Sequence, residues 1–273
     1  MLKKIKIFML LLLLAMPLSE LTGCGGADKA NMSYMEAEEL LGRGKFLLAL
    51  DKYDAVARDF EATPFAPKSL YKKALIYNRF LKDNRKAINA YYEMLSVYPK
   101  ADEAYKARLD LAAIYSAAGD HTKAVEQYQW ILDSRQEPQK TGDYRYIIAL
   151  EYFKMNDFEQ AGAELKELLA LAGKKEVVAK ALLLRGDTFY ITGNIDEARA
   201  AYEEVISRLP DSPAAMEASF NMAKVLEDSE KEKEALELLE SLRDSYPNKD
   251  VLERTIKGVK TRMKEKKAKR ARR

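Results

Sequence analysis

Six alanines recur along the chain, Ala49, Ala87, Ala124, Ala161, Ala198 and Ala235, in steps of 38, 37, 37, 37 and 37 residues. Four positions after each comes an aromatic residue or a leucine: Tyr53, Tyr91, Tyr128, Leu165, Tyr202 and Leu239. Just before each lies a polar or glycine-containing stretch, such as Gly44-Lys45, Asp83-Asn84, Gly119-Asp120, Asn156-Asp157, Gly193-Asn194 and Glu230-Lys231. Self-similarity at one period of this size marks a repeat architecture. A unit of this length is one supersecondary element that cannot bury its apolar face alone, so neighbours must stack to form a core. Of the 273 residues only 12 are Gly and 8 Pro. Ala, Leu, Glu and Lys dominate, all good helix formers. No segment alternates cleanly with period two, which gives an all-β reading little support and points to two helices per repeat.

The fifth repeat shows the fullest fingerprint: Gly186, Phe189, Gly193, Asn194, Ala198, Tyr202 and Pro210. This resembles the tetratricopeptide (TPR) family. There a small residue and an aromatic mark the first helix, Gly-Asp or Gly-Asn the turn, an Ala and an aromatic the second helix, and Pro the close. Pro99, Pro210 and Pro247 hold the closing position in repeats two, five and six, while the others lack it. The period exceeds the family's usual length of about 34 residues. The excess lies around Pro210-Asp211-Ser212-Pro213, where Ser212 as N-cap and Pro213 at the first helical position lengthen the next helix. Small first-helix residues (Ala112, Ala149, Gly186, Ala223) admit close helix approach. The fold implied is all-α: a right-handed TPR superhelix, an α-solenoid of about six repeats over residues 33–248. Residues 249–273 supply a C-terminal capping helix and a basic tail. Asp250 is the expected cap. Val251, Leu252, Ile256, Val259 and Met263 form the apolar face, and a frayed end follows Lys266.

The N-terminus reads as an address. Lys3, Lys4 and Lys6 precede an unbroken apolar run over 7–16, and Pro17 ends it. That run is half of the roughly 20 residues a membrane-spanning helix needs. A basic start followed by a short apolar run describes a secretory signal peptide, here 1–23. Leu21-Thr22-Gly23-Cys24 resembles a bacterial lipobox, in which the Cys thiol takes a diacylglyceryl group and becomes the mature N-terminus. Cys24 is the chain's single cysteine, so no intramolecular disulfide can form. A multiply acylated Cys holds a membrane without a transmembrane helix. Residues 24–32 then read as an acylated, flexible tether. Gly25 and Gly26, with no Asp after the Cys, are similar to the pattern of outer-membrane lipoproteins facing the periplasm.

Charge is unevenly spread. The chain totals +3. The first 23 residues carry +2 and residues 257–273 carry +9, leaving −8 between them. The basic tail fits anionic lipid, an acidic partner or a merely soluble end. Nucleic acid, the usual reading of such a tail, conflicts with the signal peptide.

No catalytic constellation is present. His121 falls in an expected solvated turn with no Cys or His beside it, and no phosphate loop or nucleophile elbow appears. The expectation is a binding protein, not an enzyme, with no cofactor and no metal. The TPR resemblance implies a concave groove lined by first helices. Its register places Tyr34, Lys72, Ile76, Arg79, Leu109, Tyr146, Phe153, Leu183, Tyr190 and Phe220 there. Exposed aromatics on a charged surface fit a peptide groove. Among lipoproteins the architecture is similar to the TPR lipoprotein of the outer-membrane β-barrel assembly machinery. That resemblance implies a scaffold for a barrel-assembly subunit or unfolded outer-membrane protein segments. A Tol–Pal, cell-division or pilus-assembly TPR protein is the alternative. An envelope enzyme such as a peptidoglycan hydrolase would need residues the sequence does not show.

Overall fold

The computed structural model describes residues 23–271 apart from 135, 136, 172 and 211. The signal peptide expected over 1–23 therefore lies, but for Gly23, outside the described residues. Among the described residues stand thirteen α-helices and no strand. Six antiparallel pairs run α1 (Gly23–Gly42) with α2 (Phe46–Asp59), α3 (Phe65–Leu75) with α4 (Asn84–Val97), α5 (Asp102–Ala117) with α6 (His121–Ser134), α7 (Thr141–Lys154) with α8 (Phe158–Leu169), α9 (Lys175–Ile191) with α10 (Ile195–Arg208), and α11 (Pro213–Asp228) with α12 (Glu232–Ser241). Helix α13 (Lys249–Ala271) closes the chain. No described helix is long and apolar enough to cross a membrane. The chain forms two compact units, Met1–Leu111 and Ala112–Arg273, with the boundary inside α5.

The repeat register is the packing register. All six second-helix alanines are fully buried, and so are five of the six residues four positions later. Tyr128 is nearly so. On the first helices, Ala112, Ala149, Gly186 and Ala223 are buried, and Ala37 and Ala74 extend the series back to repeats one and two. Small residues at both contact points let the helices close up, and the ring or leucine one turn on fills the space between them.

Each first helix ends the same way. Gly44, Lys82, Gly119, Asn156, Gly193 and Glu230, each five residues before its alanine, have positive φ. In most repeats the N–H of the following residue bonds back five positions, as Asp120 does to Tyr115 O and Asn194 to Phe189 O. This is the Schellman closure of a helix C-terminus. In three repeats the next residue then caps the second helix with its side chain. Asp83, Asp120 and Asp157 side chains accept from the N–H groups of Lys86, Lys123 and Gln160. One left-handed residue and one capping residue thus turn the chain through a half-circle. Left-handed backbone costs a residue with a Cβ about 1 kcal/mol or more, and glycine escapes that cost. Glu230→Gly is therefore expected to raise stability by about 0.5–1 kcal/mol, and Gly193→Ala to lower it by a similar amount. A Cβ at Gly193 meets nothing within 4 Å, so only backbone strain is at stake. Urea unfolding of the two variants checks this.

The single 38-residue step has a physical seat. The left-handed residue follows the small first-helix residue by a step of seven in five repeats, but by eight from Ala74 to Lys82. Within that stretch Ile76–Phe80 forms a π-helical turn. The closing bond lengthens by one residue to match, Asp83 N–H reaching Tyr77 O. A π turn is how a helix takes up one extra residue without losing its register. Here it brings Phe80 onto Phe46, ring centroids 4.7 Å apart.

Ser212 accepts from Ala215 N–H at 3.0 Å, and Pro213 opens α11. Three expectations change. Residues 24–32 are not a loose tether but part of α1, with Ala30 fully buried. The segment has no Pro, and beyond its glycines Ala27, Lys29, Ala30 and Met32 favour a helix. Asn248, not Asp250, caps α13, accepting from Val251 N–H at 3.1 Å. The tail is helical to Ala271 rather than frayed beyond Lys266. It is pinned by Lys260 on Glu240 at 2.7 Å, and by the Arg262–Glu227 and Lys266–Glu232 pairs. Leu252, Ile256 and Val259 seat α13 in the core of the second unit.

Candidate functional site

The first helices of the repeats carry the expected groove positions at constant spacing. Lys72, Leu109, Tyr146, Leu183 and Phe220 follow one another every 37 residues, and so do Phe153 and Tyr190. The first four of that row are half-buried, as are Phe153 and Tyr190. Two positions leave the surface. Ile76 is fully buried, packed with Ala37, Ala49 and Tyr53 in the core of the first unit. Phe220 is 6% exposed, because Tyr246 stacks over it with centroids 4.8 Å apart and planes 15° apart. Neither can line an open face, and sequence register could not see either cover.

In the first unit the remaining residues gather around two carboxylates. Glu38 accepts from the Tyr53 hydroxyl and from Lys72 Nζ at 2.9 Å. Tyr34 packs edge-on to Tyr53 at 5.7 Å and against Phe65 at 5.5 Å. Burial pushes the Glu38 carboxyl up, but its hydrogen bonds from Tyr53 and Lys72 prevail and hold it below the usual carboxylate range. The same burial and the Glu38 charge drive the Tyr34 and Tyr53 hydroxyls far above theirs. Asp110, beside Leu109, accepts from Tyr71 at 2.8 Å and Tyr91 at 3.0 Å, with Arg79 at 3.7 Å. Arg79 is exposed.

In the second unit Tyr146 and Phe153 stand seven residues apart on α7, and Leu183 and Tyr190 likewise on α9. Tyr146 and Phe153 rest on the Ala149–Leu165 core. Leu183 and Tyr190 rest on the core around Tyr202. The Tyr190 hydroxyl donates to Asp228 at 2.8 Å, and burial with that bond pushes it up to about 12. Asp187 repeats the Glu38 arrangement four repeats on. It accepts from Tyr202 at 2.7 Å and from Asn221 at 2.9 Å, as Glu38 does from Tyr53 and Lys72. Burial dominates here and raises the Asp187 carboxyl. The sequence signal was present: each acid directly follows the first-helix small residue, fifteen positions before its tyrosine.

His121 is not a solvated turn residue. It opens α6 with Nδ1 2.6 Å from Glu151 Oε2. Glu151 is 2% exposed and also accepts from Ser116 and Lys154, each at 2.8 Å. Burial would raise its carboxyl, but the bonds from Lys154, His121 and Ser116 pull it below the unperturbed value. A lowered folded pKa gives stability that is present above the unfolded pKa. That stability is lost as pH falls through the folded value. The wild-type urea midpoint is expected to drop on acidification below about pH 4.5, the ordinary carboxyl region. Glu151→Gln should show a shallower drop. It should also begin about 1–3 kcal/mol less stable at neutral pH, with Lys154 left without its carboxylate.

Among the described residues no group of three or more His, Cys, Asp or Glu side chains could hold a metal ion. The arrangement is one of packed aromatics, aliphatics and hydrogen-bonded acids.

The tetratricopeptide repeat family model matches residues 34–95, 147–213 and 192–250, together more than half of the chain. No curated protein matches the sequence. Solved structures share the fold. PilW, described as a widely conserved type IV pilus biogenesis factor, is 17% identical, with a TM-score of 0.54 over 83% of this chain and 98% of its own. A tetratricopeptide repeat protein from Parabacteroides merdae is 16% identical, with a TM-score of 0.51 over 85% and 99%. YrrB, described as a TPR protein with an unusual peptide-binding site, is 18% identical, with a TM-score of 0.52 over 69% and 91%.

Proposed function

The chain belongs to the tetratricopeptide repeat family, and we propose that it is a lipid-anchored scaffold of the bacterial envelope that binds protein segments on its first-helix face. The observation that carries the reading is that face. In the second unit Tyr146 and Phe153 on α7 and Leu183 and Tyr190 on α9 hold one register, half-exposed above the core that buries the alanine rows. Repeated apolar positions on a charged scaffold give a partner alternating anchors and hydrogen bonds. The anchor reading rests on the lipobox-like Leu21-Thr22-Gly23-Cys24 after a basic, short apolar leader. Acylation at Cys24 with export to the outer membrane, facing the periplasm, follows from it. Helix α1 then begins at the anchor itself, so the repeats stand close to the bilayer rather than on a loose leash.

Within the envelope, the scaffold's work is outer-membrane protein assembly, as in the TPR lipoprotein of the β-barrel machinery. A second reading is pilus assembly, favoured by the fold shared with PilW over nearly its whole length. The tail's Lys264, Lys267 and Lys269 stay exposed and add attraction to anionic lipid or an acidic partner.

Labelling cells with an alkyne-bearing palmitate, then separating inner and outer membranes, tests the anchor. Wild type should carry label in the outer-membrane fraction, and Cys24→Ala should carry none. Label that persists in Cys24→Ala, or wild type without label, contradicts it. Crosslinking and mass spectrometry from the same fractions separates the two assemblies: barrel-assembly subunits support the first, pilus components the second.

A further inference from the structure

Position 162 breaks the repeat. The residue after each second-helix alanine is Leu50, Ile88, Val125, Arg199 or Leu236 in five repeats, and Gly162 in the fourth. Of those five side chains Leu50 and Val125 are almost completely buried, and Leu236 packs on the core of the second unit. Gly162 lies within α8, where glycine costs about 1 kcal/mol relative to alanine. Neither backbone nor packing asks for it. Its φ is not left-handed, and a Cβ placed there meets nothing within 4 Å. Gly162 lines a cavity of about 610 Å³ between α8 and α9. Phe158 and Leu169 from α8 and Phe189 from α9 supply its apolar walls, and Arg185 of α9, also lining it, is already tied to Glu204 at 2.7 Å. That volume lies within the range of about 300–1,000 Å³ typical of ligand pockets.

The two ends of the cavity are charged oppositely. Glu159 sits one turn before Gly162 and Lys166 one turn after, both exposed and neither paired among the described residues. Seven residues of helix separate them by about 10 Å. An extended peptide covers that length in about three residues. An acyl chain carries at most one charged end, and so matches only half of the site.

We infer that this seam is a binding site for an extended peptide that buries one large apolar side chain beside Gly162, with a basic residue toward Glu159 and an acidic residue toward Lys166. None of the groove positions lines this site, which depends neither on them nor on the lipid anchor.

The test uses the full chain carrying Cys24→Ser and a fluorescein-labelled octapeptide, Gly-Ser-Lys-Phe-Ser-Asp-Gly-Ser, read by fluorescence anisotropy. Saturable binding is expected, weakened at least tenfold by Phe→Ala in the peptide or by Gly162→Leu in the protein. Gly162→Leu installs the residue that repeats one and six carry, and unchanged circular dichroism confirms its fold. Lys166→Glu is the second variant: it should weaken this peptide and strengthen one with Lys and Asp exchanged. Absence of saturable binding, or equal binding by Gly162→Leu, overturns the site. Displacement of the peptide by decanoate, with Lys166→Glu and charge exchange without effect, overturns the peptide assignment in favour of an acyl ligand.

Discussion

Tyr202→Ala is expected to cost about 3–5 kcal/mol, the range for emptying a large buried ring site. Tyr202 is fully buried in the largest core cluster, among Leu182, Ala198, Val205 and Ala223. Its hydroxyl is also one of two donors to Asp187. Truncation therefore opens a cavity and strips a donor from a carboxylate whose burial already raises its pKa. Tyr202→Phe separates the two contributions, keeping the ring and losing only the hydrogen bond. It should cost about 1.5–3 kcal/mol, the range for a bond to a charged group. If Tyr202→Phe costs as much as Tyr202→Ala, ring packing contributes little at this site and the core does not hold the repeat together as described. The folded baseline of the chain with its first unit intact should persist in the Ala variant, because repeat proteins distribute stability over nearest neighbours.

Gly186→Ala carries the second large effect, and its sign runs against helix propensity. Alanine is normally better than glycine inside a helix by about 1 kcal/mol. At this position a Cβ would stand 2.5, 2.7 and 3.0 Å from three ring atoms of Tyr202. The ring cannot withdraw, being enclosed on all sides and tied to Asp187. Overpacking of this kind costs about 1–3 kcal/mol. Two of the other repeats indicate a rescue, while repeats one to three set a tyrosine against an alanine there. Repeats four and six set a leucine against an alanine at the same contact, Leu165 with Ala149 and Leu239 with Ala223. In a Tyr202→Leu background, Gly186→Ala should therefore be neutral or stabilising. A double-mutant cycle by urea denaturation reads the coupling. Additive costs would mean that the close approach is not what keeps glycine at 186.

What could be read in the sequence is what repeats. The alanine register, the residue four positions on, the turn and the Ser212-Pro213 helix start are local patterns, each copied often enough to identify itself. What stayed hidden depends on contacts between segments far apart. Phe220 holds the same register as Tyr146, yet Tyr246 covers it from beyond α12. His121 looked like a turn residue because its partner, Glu151, lies thirty positions away on the next first helix. The lone 38-residue step was visible as a number, but only the π turn at Ile76–Phe80 gives it a place. Residues 24–32 read as a tether because Gly25 and Gly26 disfavour a helix, whereas burial of Ala30 holds one. Of the site, the first-helix row was legible and the acids beneath it, Glu38, Asp110 and Asp187, were not.

The central claim is that the first-helix face holds protein segments in the envelope. Its most direct test places a photo-crosslinking amino acid at Tyr146 or Tyr190, and as control at Glu197, which is exposed on the second helix α10. After irradiation of living cells, discrete protein adducts are expected from 146 and 190 and absent from 197. Equal adducts at all three positions, or none at 146 and 190 in folded protein, would contradict the claim.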